Sequence, residues 1–401
     1  MESFDIGIIG AGVAGAFACY KIAKDFKDIK AVVFDIGRPP MKRRRQLEGW
    51  LGCLPNSDGK LYENNLSNVT EVTNIKKTKS AHSFVQKTLS EIGDFDLTID
   101  KSPQASIKKI IAKNGFDLKL NNFTQIYPKD IHALSKHISD TMDNSGNINY
   151  QFDDEVRDIY KKNGMFVIVS EYREIQCKKI IFAVGRSGWR WANKVYKNFG
   201  IVESNDISKF GIRVEMTSSS LKEFNKSNCT LTKNNLEIGP FSWFGTVIPE
   251  DHLDMAISAF RANENRWKTD KVSFQIIGEI EFPNEGIEQT NRLAGLTFLL
   301  SNDRIIKERV SSILNHKSKI SVIKEYNWLN NVLTDLMNII PELPKAYFHV
   351  PTIMPLVPKI NIDNNLSTDI DGFFVVGEAA GLHGILSAAT TGVIAANEAC
   401  K

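Results

Sequence analysis

The sequence lacks several features that would assign it to a particular class. No run approaches about 18 apolar residues, so no membrane span is expected. The five cysteines include no Cys-x-x-Cys pair, which argues against a zinc site or a disulfide framework, and no metal site is expected. The formal net charge of +3 over 401 residues creates no general attraction to nucleic acid. Since the N-terminus also lacks a basic segment ahead of an apolar one, we expect a cytoplasmic location.

The first residues predict a β-α-β unit. FDIGIIG (4–10) is typical of a short buried strand, AFACYKIAKDF (16–26) has helical apolar spacing, and AVVFDIG (31–37) is a second buried strand. The unit spans about 35 residues, which is the usual size of a strand-helix-strand crossover.

A glycine-rich turn joins the first strand to the helix, in the order GAGVAG (10–15). Gly10 permits a tight turn, Gly12 lets the backbone approach a pyrophosphate, and Gly15 lets the helix pack on the strand. The start of the helix offers amide donors to phosphates, so the whole stretch is a candidate cofactor site: Gly10, Ala11, Gly12, Val13, Ala14 and Gly15. Asp35, 20 positions after Gly15, is placed to bind ribose hydroxyls.

A basic run, Lys42 to Arg45, follows the second strand. It is either a solvated surface cluster or a source of guanidinium groups for the cofactor phosphates. In the second interpretation Arg43 or Arg44 is the favoured residue.

The remainder of the chain predicts a discontinuous organisation. Amphipathic helices are expected in 80–93, 106–115 and 129–146, short strands in 147–185, and helices in 305–316 and 327–340. We expect an α/β fold with a Rossmann-type FAD-binding domain and an inserted mixed α+β substrate domain. The FAD-binding domain comprises 1–75, 120–215 and 346–401, the substrate domain 216–345, and a helical insertion 76–119.

Two later stretches favour FAD over NAD as the dinucleotide. IIFAVGRSG (180–188) and GFFVVGEAAGLHGI (372–385) each predict a buried strand that ends in glycine. The second turn carries a carboxylate, Glu378, and a helix whose N-terminus can stabilise negative charge on a reduced flavin. Since no second strand-Gly-x-Gly-x-x-Gly-helix occurs, no separate NAD(P)H domain is expected.

These segments together resemble a known family. GAGVAG, AVGRSG with FGIRVE (210–215), SDGKL (57–61) and GEAAGLHGILSAATTG are similar to the uncharacterised FAD-dependent, or NAD(FAD)-utilising, dehydrogenases. These are distant relatives of geranylgeranyl reductase and hydroxylase-type flavoproteins. The resemblance covers the FAD-domain pieces well and 216–345 poorly. The sequence departs from the family pattern at 49–54 and 238–249, where substrate is expected to meet flavin.

The resemblance implies further contacts with non-covalently bound FAD. The backbone of Val156 would lie near the adenine, and Ala183 and Gly185 would line the nucleotide cleft. The C-terminal turn would approach the ribityl chain and the isoalloxazine through Gly377, Glu378, Gly384 and Ile385.

The loop GWLGCLPNSDGKLY (49–62) is expected to pass from the pyrophosphate towards the flavin ring. Gly52 would allow close backbone approach, and Ser57 and Asp58 would contact the ring or the substrate. Cys53 is either a reactive thiol or a small residue packed beside the flavin. His383 is either an acid–base group or a residue that only caps its turn.

For the substrate side, His349 is a candidate, and Arg261 and Arg266 could hold an anionic group. We expect an FAD-dependent oxidoreductase that transfers hydride between flavin N5 and an organic small molecule. One alternative is a monooxygenase that uses transiently bound NAD(P)H and O₂; another is a non-catalytic flavin sensor or subunit. Electron partners that remain open are O₂, a quinone or another protein.

Overall fold

The fold is described from a computed structural model of the chain. The structure describes residues 2–40, 42–43, 47–252, 255–261, 269–302, 304–354 and 357–401. Of the predicted site residues, Arg44 and Arg266 lie outside the described residues.

The described residues form ten helices and 22 strands, apart from short 3-10 turns. The helices are α1 (Val13–Asp25), α2 (Leu66–Val72), α3 (Ile75–Ser90), α4 (Ala105–Lys113), α5 (Pro128–Ser145), α6 (Trp189–Phe199), α7 (Gly286–Leu300), α8 (Val310–Leu314), α9 (Trp328–Met337) and α10 (Ile385–Ala399). The strands are β1 (Glu2–Ile9), β2 (Ala31–Asp35), β3 (Lys60–Tyr62), β4 (Leu97–Thr98), β5 (Asp117–Lys119), β6 (Phe123–Gln125), β7 (Ile148–Phe152), β8 (Val156–Lys162), β9 (Met165–Ser170), β10 (Glu174–Phe182), β11 (Val202–Ser204), β12 (Ile207–Thr217), β13 (Thr230–Lys233), β14 (Leu236–Ile238), β15 (Ser242–Trp243), β16 (Thr246–His252), β17 (Met255–Arg261), β18 (Lys271–Glu281), β19 (Ile306–Arg309), β20 (Tyr347–Ile353), β21 (Lys359–Ile360) and β22 (Phe373–Val375).

The chain divides into two compact units. Unit 1 comprises Met1–Asp96, Thr124–Ser204 and Val357–Lys401, and unit 2 comprises Leu97–Phe123 and Asn205–Leu356. The predicted division into functional domains stays a prediction. Of the predicted helical insertion 76–119, residues 76–96 belong to unit 1. Strand β12, which crosses the predicted boundary at 215, lies entirely in unit 2, because it pairs along its length with β18.

Unit 1 contains a seven-stranded sheet, in which six strands follow the order β7-β2-β1-β10-β9-β8 and the seventh, β22, pairs with β10. Strands β7, β2, β1 and β10 are parallel, whereas β10, β9 and β8 form an antiparallel meander. Strand β22 adds in parallel to the last residues of β10, Ile180–Phe182, while β9 pairs with its first residues, Glu174–Cys177. One edge of β10 is therefore shared between two partners.

Both faces of this sheet are covered, which is why its parallel strands are almost continuously apolar. Along β2, Ala31 and Val33 join one hydrophobic cluster and Val32 and Phe34 join the other. The first cluster takes buried side chains from α1, α3, α5 and α10, and the second takes them from α6.

Unit 2 contains an eight-stranded antiparallel sheet in the order β19-β20-β12-β18-β14-β13-β5, and β15 also pairs with β18. A separate hairpin is formed by β16 and β17. The expected fold class is confirmed: the molecule combines a parallel sheet of Rossmann type with a second, antiparallel sheet.

In unit 2 one local prediction differs from the structure, and one helix has no counterpart among the predictions. The segment 305–316 was expected to be one helix, but Ile306–Arg309 is a strand that pairs with β20, and only Val310–Leu314 is helical. Pairing with a neighbouring strand outweighs the helical spacing of this short segment. The 15-residue helix α7 was not predicted.

Within the described residues, no helix combines the length and apolar character needed to cross a membrane. The same part of the chain contains no group of three or more His, Cys, Asp or Glu side chains arranged to hold a metal ion.

Candidate functional site

The candidate site in unit 1 lies where four parallel strands end side by side. We call this the carboxyl edge; it is defined by the last residues of β1, β2, β10 and β22, which are Ile9, Asp35, Phe182 and Val375. Ile9 is in register with both Phe34 and Phe182, and Phe182 with Val375. The strand after β1 in the chain lies on one side of it and β10 lies on the other. Ligands of open parallel sheets bind at such a reversal of strand order.

The glycine-rich turn leaves no space for side chains at two of its positions. Gly10 has φ +100°, and an added Cβ would lie 2.4 Å from the carbonyl oxygen of Ala183. An added Cβ at Gly15 would lie 1.9 Å from the carbonyl oxygen of Gly10. The tight turn and the close packing of α1 therefore both require glycine.

The start of α1 has no side-chain cap. Its N-cap residue is Gly12, and no side-chain hydrogen bond closes this helix end. An added Cβ at Gly12 would have only Gly52 Cα nearby, at 4.0 Å. The first amides of an uncapped helix form a ready site for an anion, because they carry the positive end of the helix dipole.

Asp35 holds three backbone segments together at the end of β2. Its Oδ2 accepts from the amide of Ala11 at 2.7 Å, and its Oδ1 accepts from Gly37 at 2.7 Å and Gly49 at 2.8 Å. Burial raises the pKa of this carboxyl, although these hydrogen bonds and the charge of Arg43 act in the opposite direction. Since Ala11 is the donor to Oδ2 among the described residues, this oxygen retains a lone pair that can accept a hydrogen bond from a ribose hydroxyl.

The loop at 49–54 lies directly against the glycine-rich turn. The amide of Leu51 donates to the carbonyl of Ala11 at 2.8 Å. An added Cβ at Gly52, where φ is +53°, would lie 3.3 Å from Gly12 Cα. The backbone of this loop therefore packs on the glycine-rich turn, and its predicted approach to the cofactor stays a prediction.

Arg43 fastens this loop. Its Nη1 donates to the carbonyl of Trp50 at 2.6 Å and to that of Gly52 at 2.5 Å. The guanidinium is largely buried, and burial lowers its pKa. In the structure Arg43 therefore binds loop carbonyls, and its predicted contact with a phosphate stays a prediction.

Residues 53–60 form a self-supporting turn. Cys53 is half-buried and precedes a 3-10 helix, Leu54–Asn56. The hydroxyl of Ser57 donates to the carbonyl of Leu54 at 2.8 Å and accepts from the amide of Gly59 at 3.1 Å. Asp58 Oδ1 accepts from the amide of Lys60 at 3.2 Å. The contacts found for Ser57 and Asp58 shape the turn itself.

The C-terminal turn brings a second uncapped helix start to the same region. After β22, a 3-10 helix (Gly377–Ala380) leads to Gly384, the N-cap of α10, which has φ +100° and no side-chain cap. An added Cβ at Gly377 would lie 3.4 Å from the Cβ of Ala14 in the first turn of α1. An added Cβ at Gly384 would lie 2.1 Å from Nδ2 of Asn65. Ile385 begins α10, and His383, half-buried, lies in the turn just before it.

Glu378 in this turn forms an ion pair with Arg186. Arg186 Nε and Nη2 donate to the two carboxylate oxygens at 3.3 and 3.2 Å. The two residues are 192 positions apart, so sequence reasoning missed Arg186. The sequence signal that could have identified Arg186 is a cationic residue directly after the Ala-Val-Gly segment at the end of the predicted strand.

The remaining predicted positions follow the strand ends. The amide of Ala183 donates to the carbonyl of Ile9 at 2.8 Å, and an added Cβ at Gly185 would meet nothing within 4 Å. Val156 begins β8, two residues after Asp154, whose amide donates to the carbonyl of Asp35 at 3.2 Å. In unit 2, His349 lies in β20, and Arg261 ends β17.

Comparison with known proteins gives structural likeness only. No protein-family model matches the sequence, and no curated protein matches it. The FrdA chain of E. coli quinol fumarate reductase is similar over 100% of this chain and 70% of its own, with 12% identity and a TM-score of 0.50. At this identity the likeness shows the fold alone.

Two further solved structures are similar with lower scores. A flavoprotein/dehydrogenase from Cytophaga hutchinsonii has 14% identity, covers 100% of this chain and 78% of its own, and has a TM-score of 0.44. Glycine oxidase from Geobacillus kaustophilus has 12% identity, covers 100% of this chain and 93% of its own, and has a TM-score of 0.42.

Proposed function

We propose that this chain binds FAD non-covalently and is an FAD-dependent oxidoreductase acting on an organic small molecule. The observation that carries the proposal is the pair of uncapped helix starts in unit 1, those of α1 and α10, with Gly377 of the turn that leads to α10 packed against Ala14 in the first turn of α1. A dinucleotide that carries a flavin has two groups suited to these ends: the pyrophosphate, and the ring system that becomes negative on reduction.

The donors and the open backbone of unit 1 fit the adenosine and pyrophosphate portions. The first amides of α1, from Gly12 to Ala14, would bind the pyrophosphate, and Asp35 Oδ2 would accept a ribose hydroxyl. The backbone of Val156 would contact the adenine. Gly185, with open space beside it, would line the cleft together with Ala183.

The C-terminal turn would hold the flavin end. Gly384 and Ile385 would present the amides of α10 to the pyrimidine edge of the ring, where the helix dipole stabilises negative charge. Glu378 would accept from ribityl hydroxyls. Its ion pair with Arg186 offsets the carboxylate charge, which would otherwise repel a neighbouring pyrophosphate.

Bound FAD supplies a two-electron acceptor or donor at N5, and the proposed reaction is hydride transfer between this atom and the substrate. His383 would carry a proton at its imidazole during that reaction. Cys53 would line the ring side of the 49–54 loop, as a packed small residue or as a reactive thiol. We assign FAD binding to 1–75, 120–215 and 346–401 and substrate binding to 216–345.

The test is the flavin content of the purified chain. The chain is incubated with FAD, desalted and denatured by heat, and the released cofactor is identified by chromatography. We expect one FAD per chain, released without proteolysis because no covalent bond holds it. A chain that retains no FAD after this treatment contradicts the proposal.

Gly12→Ala is the matched variant for this test. The added methyl group fits the free protein, since its nearest neighbour is 4.0 Å away, but it projects where the pyrophosphate would lie. We expect normal unfolding behaviour and at least tenfold weaker FAD binding. Gly295→Ala, in α7 with nothing within 4 Å, is the control that should bind FAD as the wild type does.

Anaerobic mixing with NADPH separates a reductase or monooxygenase from a substrate-driven dehydrogenase. Rapid bleaching of the flavin absorbance favours the first pair, and its absence favours reduction by the organic substrate. If no donor reduces a bound flavin and a partner binds according to redox state, the sensor alternative is favoured.

A further inference from the structure

The antiparallel sheet of unit 2 has one apolar and one polar face. Phe210, Ile212 and Val214 of β12 point to the apolar face and belong to the core. We call five buried residues on the opposite side, at the centre of the sheet, the polar face: Arg213, Glu215, Ser273, His349 and Thr352; Gln275, in register with Arg213, is half-buried. All five are buried, whereas the polar side of an antiparallel sheet ordinarily faces water.

The hairpin of β16 and β17 lies against this polar face. Ser258 of β17 contacts the hydroxyl of Thr352 at 2.5 Å, and its carbonyl accepts from Arg213 Nε at 3.4 Å. Arg213 Nη1 also donates to the hydroxyl of Ser273 at 3.5 Å. A layer of polar groups is therefore enclosed between the sheet and the hairpin.

His349 has hydrogen-bonding capacity that the described part of the chain does not use. Its residue is 4% exposed, and neither Nδ1 nor Nε2 has a hydrogen-bond partner among the described residues. Glu215 Oε2 lies 3.9 Å from its Nε2, which is beyond hydrogen-bonding distance. Buried polar atoms in folded proteins nearly always have partners, so these two nitrogens indicate a missing group.

The charges around His349 favour an anion as that group. Arg213 and Lys307 each stand opposite His349 in the strand register. Lys271 Nζ lies 2.7 Å from Glu215 Oε1, and Lys307 Nζ lies 3.7 Å from it. We call Arg213, Lys271, Lys307 and Glu215 the charged cluster; its three cations and its carboxylate all act on His349.

The backbone at this place is irregular, and two lysine side chains beside it are partly exposed. The register of β12 and β20 shifts between Gly211 and Arg213, as at a β-bulge, which re-aims side chains and is common next to binding sites. The side chains of Lys271 and Lys307 are 41% and 47% exposed, so the cationic side of the cluster reaches the surface.

We propose that the polar face binds the carboxylate of a small organic acid, with Arg213 as its charged partner and a ring N–H of His349 as a second donor. A guanidinium and an imidazole N–H match the two oxygens of a carboxylate. The site lies within unit 2 and includes His349, which the sequence offered as a substrate-side candidate, whereas the sequence candidates for binding an anion were Arg261 and Arg266. It does not depend on FAD binding.

The test uses matched acid and amide probes, propionate with propionamide and benzoate with benzamide. Binding to the full chain is followed by saturation-transfer NMR, and FAD content is measured separately. We expect saturable binding of at least one acid and at least tenfold weaker binding of its amide. Absence of saturable binding by both acids overturns the proposal, whatever the FAD content shows.

Two variants test whether the acid probes bind at the polar face. His349→Leu and Arg213→Met should each weaken acid binding at least tenfold, while His132→Leu, on the exposed face of α5, should leave it unchanged. Equal binding by folded His349→Leu, Arg213→Met and wild type overturns the proposal.

A wild-type measurement covers the case in which these variants do not fold. The imidazole nitrogen resonances of His349, assigned with His349→Gln, should shift on addition of propionate and stay in place with propionamide. Unchanged resonances at saturating propionate also overturn the proposal.

Discussion

The contact between α1 and α10 gives the sharpest stability prediction. An added Cβ at Gly392 would lie 2.1 Å from the carbonyl oxygen of Ala14 and 2.9 Å from its carbonyl carbon. Both atoms are backbone, so one helix must move by about 1 Å to accommodate Gly392→Ala. Overpacking of this kind costs roughly 1–3 kcal/mol, and alanine recovers up to about 1 kcal/mol through its higher helix propensity.

The expected net effect is a loss of about 2 kcal/mol in the free energy of unfolding, from the upper part of that overpacking range less the helix term. Guanidinium chloride unfolding followed by circular dichroism measures it, with both proteins free of added FAD. Gly295→Ala is the control, because the same substitution in α7 meets nothing within 4 Å. It should gain about 0.5–1 kcal/mol. A Gly392→Ala protein as stable as the wild type would refute the close helix contact.

Three further predictions concern the loop and the polar face. Arg43→Met removes the hydrogen bonds of the guanidinium to the carbonyls of Trp50 and Gly52, so FAD affinity, measured by fluorescence titration, should fall at least tenfold. Cys53→Ala should keep full FAD content, and turnover should persist if the residue only packs beside the ring. For His349, burial and the neighbouring cations lower its pKa from 6.5 to about 4, although Glu215 opposes this. Between pH 6.5 and pH 4 the unfolded chain therefore binds a proton that the folded chain does not bind. The free energy of unfolding should fall by on the order of 2–3 kcal/mol as the pH drops from 6.5 to 4.

Each of these predictions has a contrary outcome. Unchanged FAD affinity in Arg43→Met would mean that the loop holds its position without the guanidinium. Loss of turnover in Cys53→Ala at normal flavin content would favour a reactive thiol. If His349→Gln retains the wild-type fall in unfolding free energy between pH 6.5 and 4, the histidine is not its source.

The sequence was most informative where structure is local. The order strand, GAGVAG, helix, strand predicts β1, α1 and β2, because hydrophobic spacing and the steric needs of a tight turn act over a few residues. The buried strand and small-residue helix at 372–399 follow for the same reason, and they correspond to β22 and α10.

The missed features depend on distant partners. Helix α7 begins at Gly286 without a side-chain cap, so it lacks an ordinary start signal. It also contains Gly295, which weakens the helical character of its sequence. Arg186 could not be paired with Glu378, nor His349 placed opposite Arg213, because strand register between remote segments sets these contacts. The same limit applies to Asp35: its position was evident, whereas its three amide donors come from separate turns.

The shared edge of β10 also affects how the chain folds during its synthesis on the ribosome. Strand β9 precedes β10 in the chain and can pair with it as soon as both are synthesised. On the same edge of β10, the backbone groups of Ile180–Phe182 can pair with β22 only after β22 has been synthesised. Arg186 and Glu378, which follow these two strands, are 192 positions apart. At about 5–20 residues per second, a ribosome needs roughly 10–40 s to cover that distance. Throughout that interval the nascent chain presents a short apolar strand edge, so protection from wrong strand pairing is needed most before the final helix is synthesised.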